Sequence, residues 1–233
     1  MTQEKRSSSA CLMVGIGCAI LVALGVAVIG GLSLWGWKKT KELKDPEARA
    51  DEVREILGVE QLPEGYNAVL GVKVPWIMEF AILSDREVSL DDDDDDLGDR
   101  AFIYFQFLRG KNDEPELRDF FEGRSDDARV LKKHGIDIDV DVEEILGRGV
   151  VAVRGGEALY VATRGGLEGK KRDGEGISSI ALVQCPGDHR LRVAIWHTPE
   201  PETGPTPEAA PLTGTPADAA TLERFLGQFS FCE

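Results

Sequence analysis

From Ala10 to Trp37 the chain runs through twenty-eight residues, ACLMVGIGCAILVALGVAVIGGLSLWGW, without one charged side chain. At about 1.5 Å of rise per residue, a helix of this length covers about 42 Å, more than the roughly 30 Å hydrocarbon core of a bilayer. A cleaved secretory signal has a much shorter apolar region, roughly 7 to 15 residues. The run closes on Trp35 and Trp37 and then meets Lys38, Lys39 and Lys41. Indole rings suit the headgroup layer and ammonium groups resist hydrocarbon, so these flanks mark an interfacial stop. The stretch is predicted to be a retained, single-pass membrane anchor with the bilayer as its first partner. Lipoprotein processing before Cys18 fits poorly, because Gly15, Ile16 and Gly17 precede it and most of the apolar run follows it.

Gly15, Ala19, Ala23, Ala27 and Gly31 recur every four residues and so fall along one helix face, where small side chains let two backbones approach in lipid. The stripe is a candidate contact for a homodimer or a partner transmembrane helix. An Ala- and Gly-rich span of no further purpose has the same composition. Cys11 and Cys18 read as apolar members of the span.

The expected organisation is a tail over residues 1–9, the span over 10–37, a juxtamembrane helix and linker over 38–61, and a globular domain over 62–233. The whole chain carries a net charge of -15, which becomes -16 once Glu4, Lys5 and Arg6 are set aside. That sign repels phosphate backbones and anionic surfaces, so nucleic acid is not an expected partner. No protein partner is legible. Two signals for topology conflict. Lys38, Lys39, Lys41, Lys44, Arg49 and Arg54 outnumber Lys5 and Arg6, which favours a cytoplasmic domain. A short basic tail, one span and a long carboxyl-terminal domain have the layout of a signal anchor, and long domains are exported despite flanking charge. The second reading, an extracytoplasmic domain, is preferred. Cys185 and Cys232 are the domain's cysteines, and in an oxidising compartment they form a candidate disulfide.

Asp45-Pro46-Glu47 reads as an N-cap, a first-turn proline and an acid at the positive helix end, with Val53, Ile56 and Leu57 on one face and Gly58 as the stop. After Pro63-Glu64-Gly65, strands are expected over Tyr66 to Val74 and Trp76 to Leu83, broken at Pro75. Asp91 to Asp96 is a run of six aspartates that demands water or cations. A solvated loop is expected, with a cation-responsive role as an alternative, although a homopolymeric run offers no plan for wrapping one calcium ion. RAFIYFQFL, Arg100 to Leu108, predicts an interior strand with Phe102, Tyr104 and Gln106 on one side and Ile103, Phe105 and Phe107 on the other. Pro115 opens a short helix bearing Leu117, Phe120 and Phe121. IDIDVDV, Ile136 to Val142, alternates as a strand. It fails as a calcium loop, with Val142 where glycine is needed and Arg148 where a bidentate glutamate belongs.

Two hairpins follow. Gly155-Gly156 is predicted as the turn of the first, which sets Arg154 opposite Glu157, Val153 opposite Ala158 and Val151 opposite Tyr160. The glycine-rich stretch from Arg164 to Gly176 lacks the spacing and the following helix of a phosphate loop and reads as a connection. In the second hairpin, around Pro186-Gly187-Asp188-His189, pairing Cys185 with Arg190 gathers Ile180, Leu182, Leu191, Val193 and Ile195 on one face. That register places His197 opposite Ser178, about 23 Å from Cys185 at about 3.3 Å per residue, too far for a dyad. His189 is near enough, and a thiol-dependent hydrolase using Cys185 and His189 is the alternative from another functional class. Thr198 to Pro216 is proline-rich and cannot build a core. Thr215-Pro216 is expected to cap a last helix, with Asp218 completing the cap and Leu222, Phe225, Leu226 and Phe229 docking on a sheet.

Helix, two strands after LPEGY, an aromatic strand, a short helix, two hairpins and a closing helix ending in FLGQFSF form an order that resembles the Mog1/PsbP-like α+β domains. The anchor-plus-domain layout resembles bacterial single-pass membrane proteins of uncharacterised role. The first resemblance implies a non-enzymatic accessory or binding role. The expected fold is α+β: an amino-terminal transmembrane helix, then a mainly antiparallel sheet covered by helices. A membrane-tethered binding or accessory module is expected, with no catalytic, cofactor or metal residues assigned.

Overall fold

The structure is a computed structural model that describes residues 45–88, 97–108, 114–133, 144–165, 176–201 and 212–232. Contacts divide the chain into Met1–Leu43 and Lys44–Glu233, and every described residue belongs to the second unit. The apolar run from Ala10 to Trp37 with its small-residue stripe, the aspartates Asp91 to Asp96, and the Ile136 to Val142 segment lie outside the described residues. Among the described residues no helix is long and apolar enough to cross a membrane.

The first element is helix α1, Pro46–Leu57. Asp45 accepts the Glu47 N–H at 3.0 Å, Pro46 fills the first turn, and Gly58 ends the helix at φ 62, the left-handed conformation that glycine adopts without a Cβ penalty. Val53 and Leu57 are fully buried, and α1 packs on the first strands of the sheet. This helix falls within residues 38–61, read from the sequence as a juxtamembrane helix and linker, and its Val53, Ile56 and Leu57 belong to the first core.

The described strands are β1 (Asn67–Val74), β2 (Met78–Ser84), β3 (Ala101–Leu108), β4 (Glu144–Val153), β5 (Gly156–Gly165), β6 (Gly176–Gln184) and β7 (Arg190–Pro199). They form one seven-stranded sheet in the order β1-β2-β3-β7-β6-β5-β4, antiparallel at every pair. Between β3 and β4 lie helices α2 (Glu114–Phe121) and α3 (Arg129–Lys133), and α4 (Ala219–Leu226) follows β7. The fold is α+β, an antiparallel sheet with helices on both faces.

Alternation along β3 decides which core each side chain enters. Phe102 and Tyr104 join the first core with Val53, Leu57, Trp196, Phe225, Phe229 and Phe231. Ile103 and Phe105 join the second with Leu117, Phe120, Phe121 and Leu131. The first core is closed by rings from the carboxyl-terminal segment: Phe225 stacks on Trp196 at 4.1 Å, Phe229 on Phe102 at 4.7 Å and Phe231 on Tyr104 at 4.9 Å. The same segment ties two other elements down. Ser230 N–H donates to the Leu57 carbonyl at 3.0 Å, and its hydroxyl accepts from Arg154 Nη1 at 2.9 Å.

Two local expectations need correction. The β4–β5 turn is Arg154-Gly155, with Gly155 at φ 79, so that Val153 faces Gly156, Val151 faces Ala158 and Gly149 faces Tyr160. The expected register differs by two residues, which leaves every side chain on its own face, so alternation is blind to the difference. Gly149 settles it sterically: a Cβ there would stand 2.9 Å from the Tyr160 ring. The α4 cap is Asp218 alone, accepting the Ala220 N–H at 3.3 Å and the Thr221 hydroxyl at 2.6 Å, whereas Thr215 turns its hydroxyl to the Leu212 carbonyl.

Phe229 is fully buried between Phe102, Phe225 and Phe231. Phe229→Ala is expected to cost about 3–5 kcal/mol in denaturant unfolding, whereas Val150→Ala, on the exposed side of β4, should stay within about 0.5 kcal/mol.

Candidate functional site

Just past the carboxyl end of β6, Cys185 is joined to Cys232 by a disulfide, with the Cα atoms 5.3 Å apart and a sequence separation of 47. Closing a loop of that length removes unfolded-state entropy equivalent to about 4 kcal/mol in the chain-entropy account. The sulfur is thereby spent: in this state Cys185 has no thiolate to offer, although His189 lies in the same turn. A cleft of about 430 Å³ beside it is lined by Arg118, Glu157, Gln184, Cys185, Asp188 and Arg190, a lining of opposed charges around the bridge.

One residue row along the first face of the same sheet end, Lys73, Glu79, Gln106 and Arg192, is polar on the four adjacent strands β1, β2, β3 and β7. Gln106 Nε2 donates to Glu79 at 2.5 Å, the Tyr104 hydroxyl donates to Gln106 Oε1 at 3.2 Å, and Arg192 Nη2 donates to Asp188 at 2.5 Å. Arg192 is 3% exposed, and its Nε and Nη1 have no hydrogen-bond partner among the described residues. Burial pushes the Tyr104 phenol well above its ordinary range, which keeps it a proton donor. Burial alone would raise the Asp188 carboxyl too, but the hydrogen bonds from Arg192 and the Arg190 N–H, with both guanidinium charges, hold it below its ordinary value.

At the opposite end, on the second face, the β6–β7 register sets Ser178 beside His197. Ser178 Oγ and His197 Nδ1 lie 2.9 Å apart, and Thr163 continues the row with a buried hydroxyl that has no hydrogen-bond partner among the described residues. A serine next to an imidazole is the pairing a nucleophile needs. Ser178 is fully buried and His197 is 5% exposed, so the pair forms a polar link between β6 and β7 within the covered face of the sheet. The sequence-derived register had placed these two side by side; what it lacked was their burial.

The fourth place is the β1–β2 turn. Ile77 N–H donates to the Val74 carbonyl at 3.1 Å, Pro75 is the second turn residue and Trp76 the third, at φ 69. This is the bond and the positive φ of a type II turn, whose third position calls for glycine. Trp76 is 91% exposed, and Ile77, Met78 and Leu108 beside it are 61%, 40% and 66% exposed. Leu108 N–H donates to the Ile77 carbonyl at 3.4 Å, which joins the end of β3 to the turn. Reading Trp76 as the first residue of a strand hid it; Val74-Pro75-Trp76-Ile77 was the available signal, since proline suits the second turn position.

Of the residues singled out in sequence, the structure brings Cys185 and Cys232 together. Gly15, Ala19, Ala23, Ala27 and Gly31 and the aspartates Asp91 to Asp96 lie outside the described residues. Among the described residues no three His, Cys, Asp or Glu side chains converge as metal ligands. Comparison of the sequence with protein-family models and with curated proteins gives no match.

Two measurements probe these sites. Because the folded-state value of Asp188 is depressed, its contribution is complete above the ordinary carboxylate value of about 3.9 and disappears as pH falls through the lower folded value. Asp188→Asn should therefore flatten the acid limb of stability against pH below about pH 4. A left-handed tryptophan costs about 1–2 kcal/mol and a glycine loses about 0.5–1 kcal/mol of that in added unfolded entropy. Trp76→Gly should thus leave stability unchanged or raise it by up to about 1.5 kcal/mol, the reverse of losing a packed tryptophan.

Proposed function

We propose that the chain is a membrane-tethered accessory or binding module whose sheet domain works on the extracytoplasmic side. The observation that carries this reading is the Cys185–Cys232 disulfide. Such bridges persist in oxidising compartments and are rare in the cytosol, so it supports the signal-anchor layout over the count of lysines and arginines beside the span. The uncharged run from Ala10 to Trp37 supplies the tether, and the exposed apolar residues Trp76, Ile77 and Leu108 give a binding role a surface to work through.

The compartment is tested in intact cells expressing the full chain with Cys11→Ala and Cys18→Ala. A membrane-impermeant maleimide should label Cys185 and Cys232 only after an impermeant reductant has been added. Labelling without reductant, or labelling that begins only when the membrane is permeabilised, would overturn the extracytoplasmic assignment.

A further inference from the structure

The β1–β2 turn puts a tryptophan where the backbone asks for glycine and leaves it 91% exposed. Among the described residues Trp76 packs into neither core, and a strained, exposed side chain of this kind points to a use outside the domain. Its neighbours extend the feature. Val74 to Met78 carries no charge in a chain of net charge -15, and Ile77, Met78 and Leu108 widen the apolar apex. Phe80 and Phe107, partly buried against the second core, continue the apolar strip inward. A convex, uncharged apex crowned by one indole suits the headgroup layer, which favours amphipathic rings and apolar wedges.

The chain's own layout says which surface is at hand. Glu55 Oε1 lies 2.6 Å from Lys73 Nζ, near the turn, while Arg49 Nη1 donates to the Val88 carbonyl beyond β2. Helix α1 therefore runs with its carboxyl end toward the turn and its first residue, which continues to the tether, at the far end. Tethering to a bilayer raises the effective concentration of a weak contact between the domain and that surface. The chain's net charge opposes approach to anionic headgroups, and the apex from Val74 to Met78 adds no charge of its own to that repulsion.

We propose that the β1–β2 turn is a second membrane contact: Trp76, with Ile77, Met78 and Leu108, enters the headgroup layer of the bilayer to which the chain is tethered. This rests on the tethered reading above.

The test uses the full chain in phosphatidylcholine vesicles, with a benzophenone side chain introduced as Trp76→p-benzoylphenylalanine or, for comparison, at exposed Glu64 near the other end of β1. On irradiation, position 76 should give about tenfold more lipid adduct than position 64. Adding Ile77→Asp with Leu108→Asp should remove about tenfold of that signal, because charged groups resist the apolar layer. Equal lipid adduct at the two positions, or adduct at position 76 carried by a second copy of the chain or by another protein, would overturn the proposal. An alkaline carbonate wash reads the tether separately. A chain that washes off refutes the anchor, whereas a chain that stays but yields no lipid adduct at position 76 refutes the tip contact alone.

Discussion

The stacking of three phenylalanines from the end of the chain onto the sheet is the interaction on which the remaining structure depends. Phe225 on Trp196, Phe229 on Phe102 and Phe231 on Tyr104 cover a sheet face that α1 alone leaves partly open. Each ring buries a large apolar area, and the offset and edge contacts among them add specific geometry to that burial. The strands they cover are the interior ones, β3 and β7, so the last residues of the chain hold the middle of the sheet. Ser230, between the last two rings, accepts from Arg154 and donates to the Leu57 carbonyl, which brings the β4–β5 turn and α1 under the same closure.

The two faces of the sheet follow from this division of labour. The first face is sealed by the chain's two extremities within the domain, α1 and the carboxyl-terminal segment, and the second by the short helices between β3 and β4. Each face carries a cross-strand polar row: Lys73–Glu79–Gln106–Arg192 on the first, and His197–Ser178–Thr163 on the second. Those hydrogen bonds stiffen the sheet where its apolar cover thins. The β1–β2 turn departs from this economy, since its side chains are apolar and face water.

Much of the fold was legible because the relevant signals are local. The Asp45-Pro46 cap and Gly58 stop of α1, the alternating faces of β3 and the Cys185–Arg190 register of the β6–β7 hairpin each follow from residues within a few positions of one another. The illegible parts have equally physical reasons. A two-residue register shift in the β4–β5 hairpin preserves every face, so only the fit of the Tyr160 ring over Gly149 distinguishes the alternatives. The first polar row depends on the step from Gln106 to Arg192, which joins β3 to β7, strands distant in sequence where no spacing rule operates. Trp76 was obscured because a β-favouring aromatic in an apolar run reads as strand until the Val74–Ile77 hydrogen bond shows that the chain is turning.

The Cys185–Cys232 bond spans β7, the proline-rich stretch after it, and α4. A single peptide-bond cleavage anywhere between those cysteines would yield two polypeptides still joined through sulfur, with Phe225, Phe229 and Phe231 held beside the sheet they cover. Scission at any peptide bond between the two cysteines would thus release nothing.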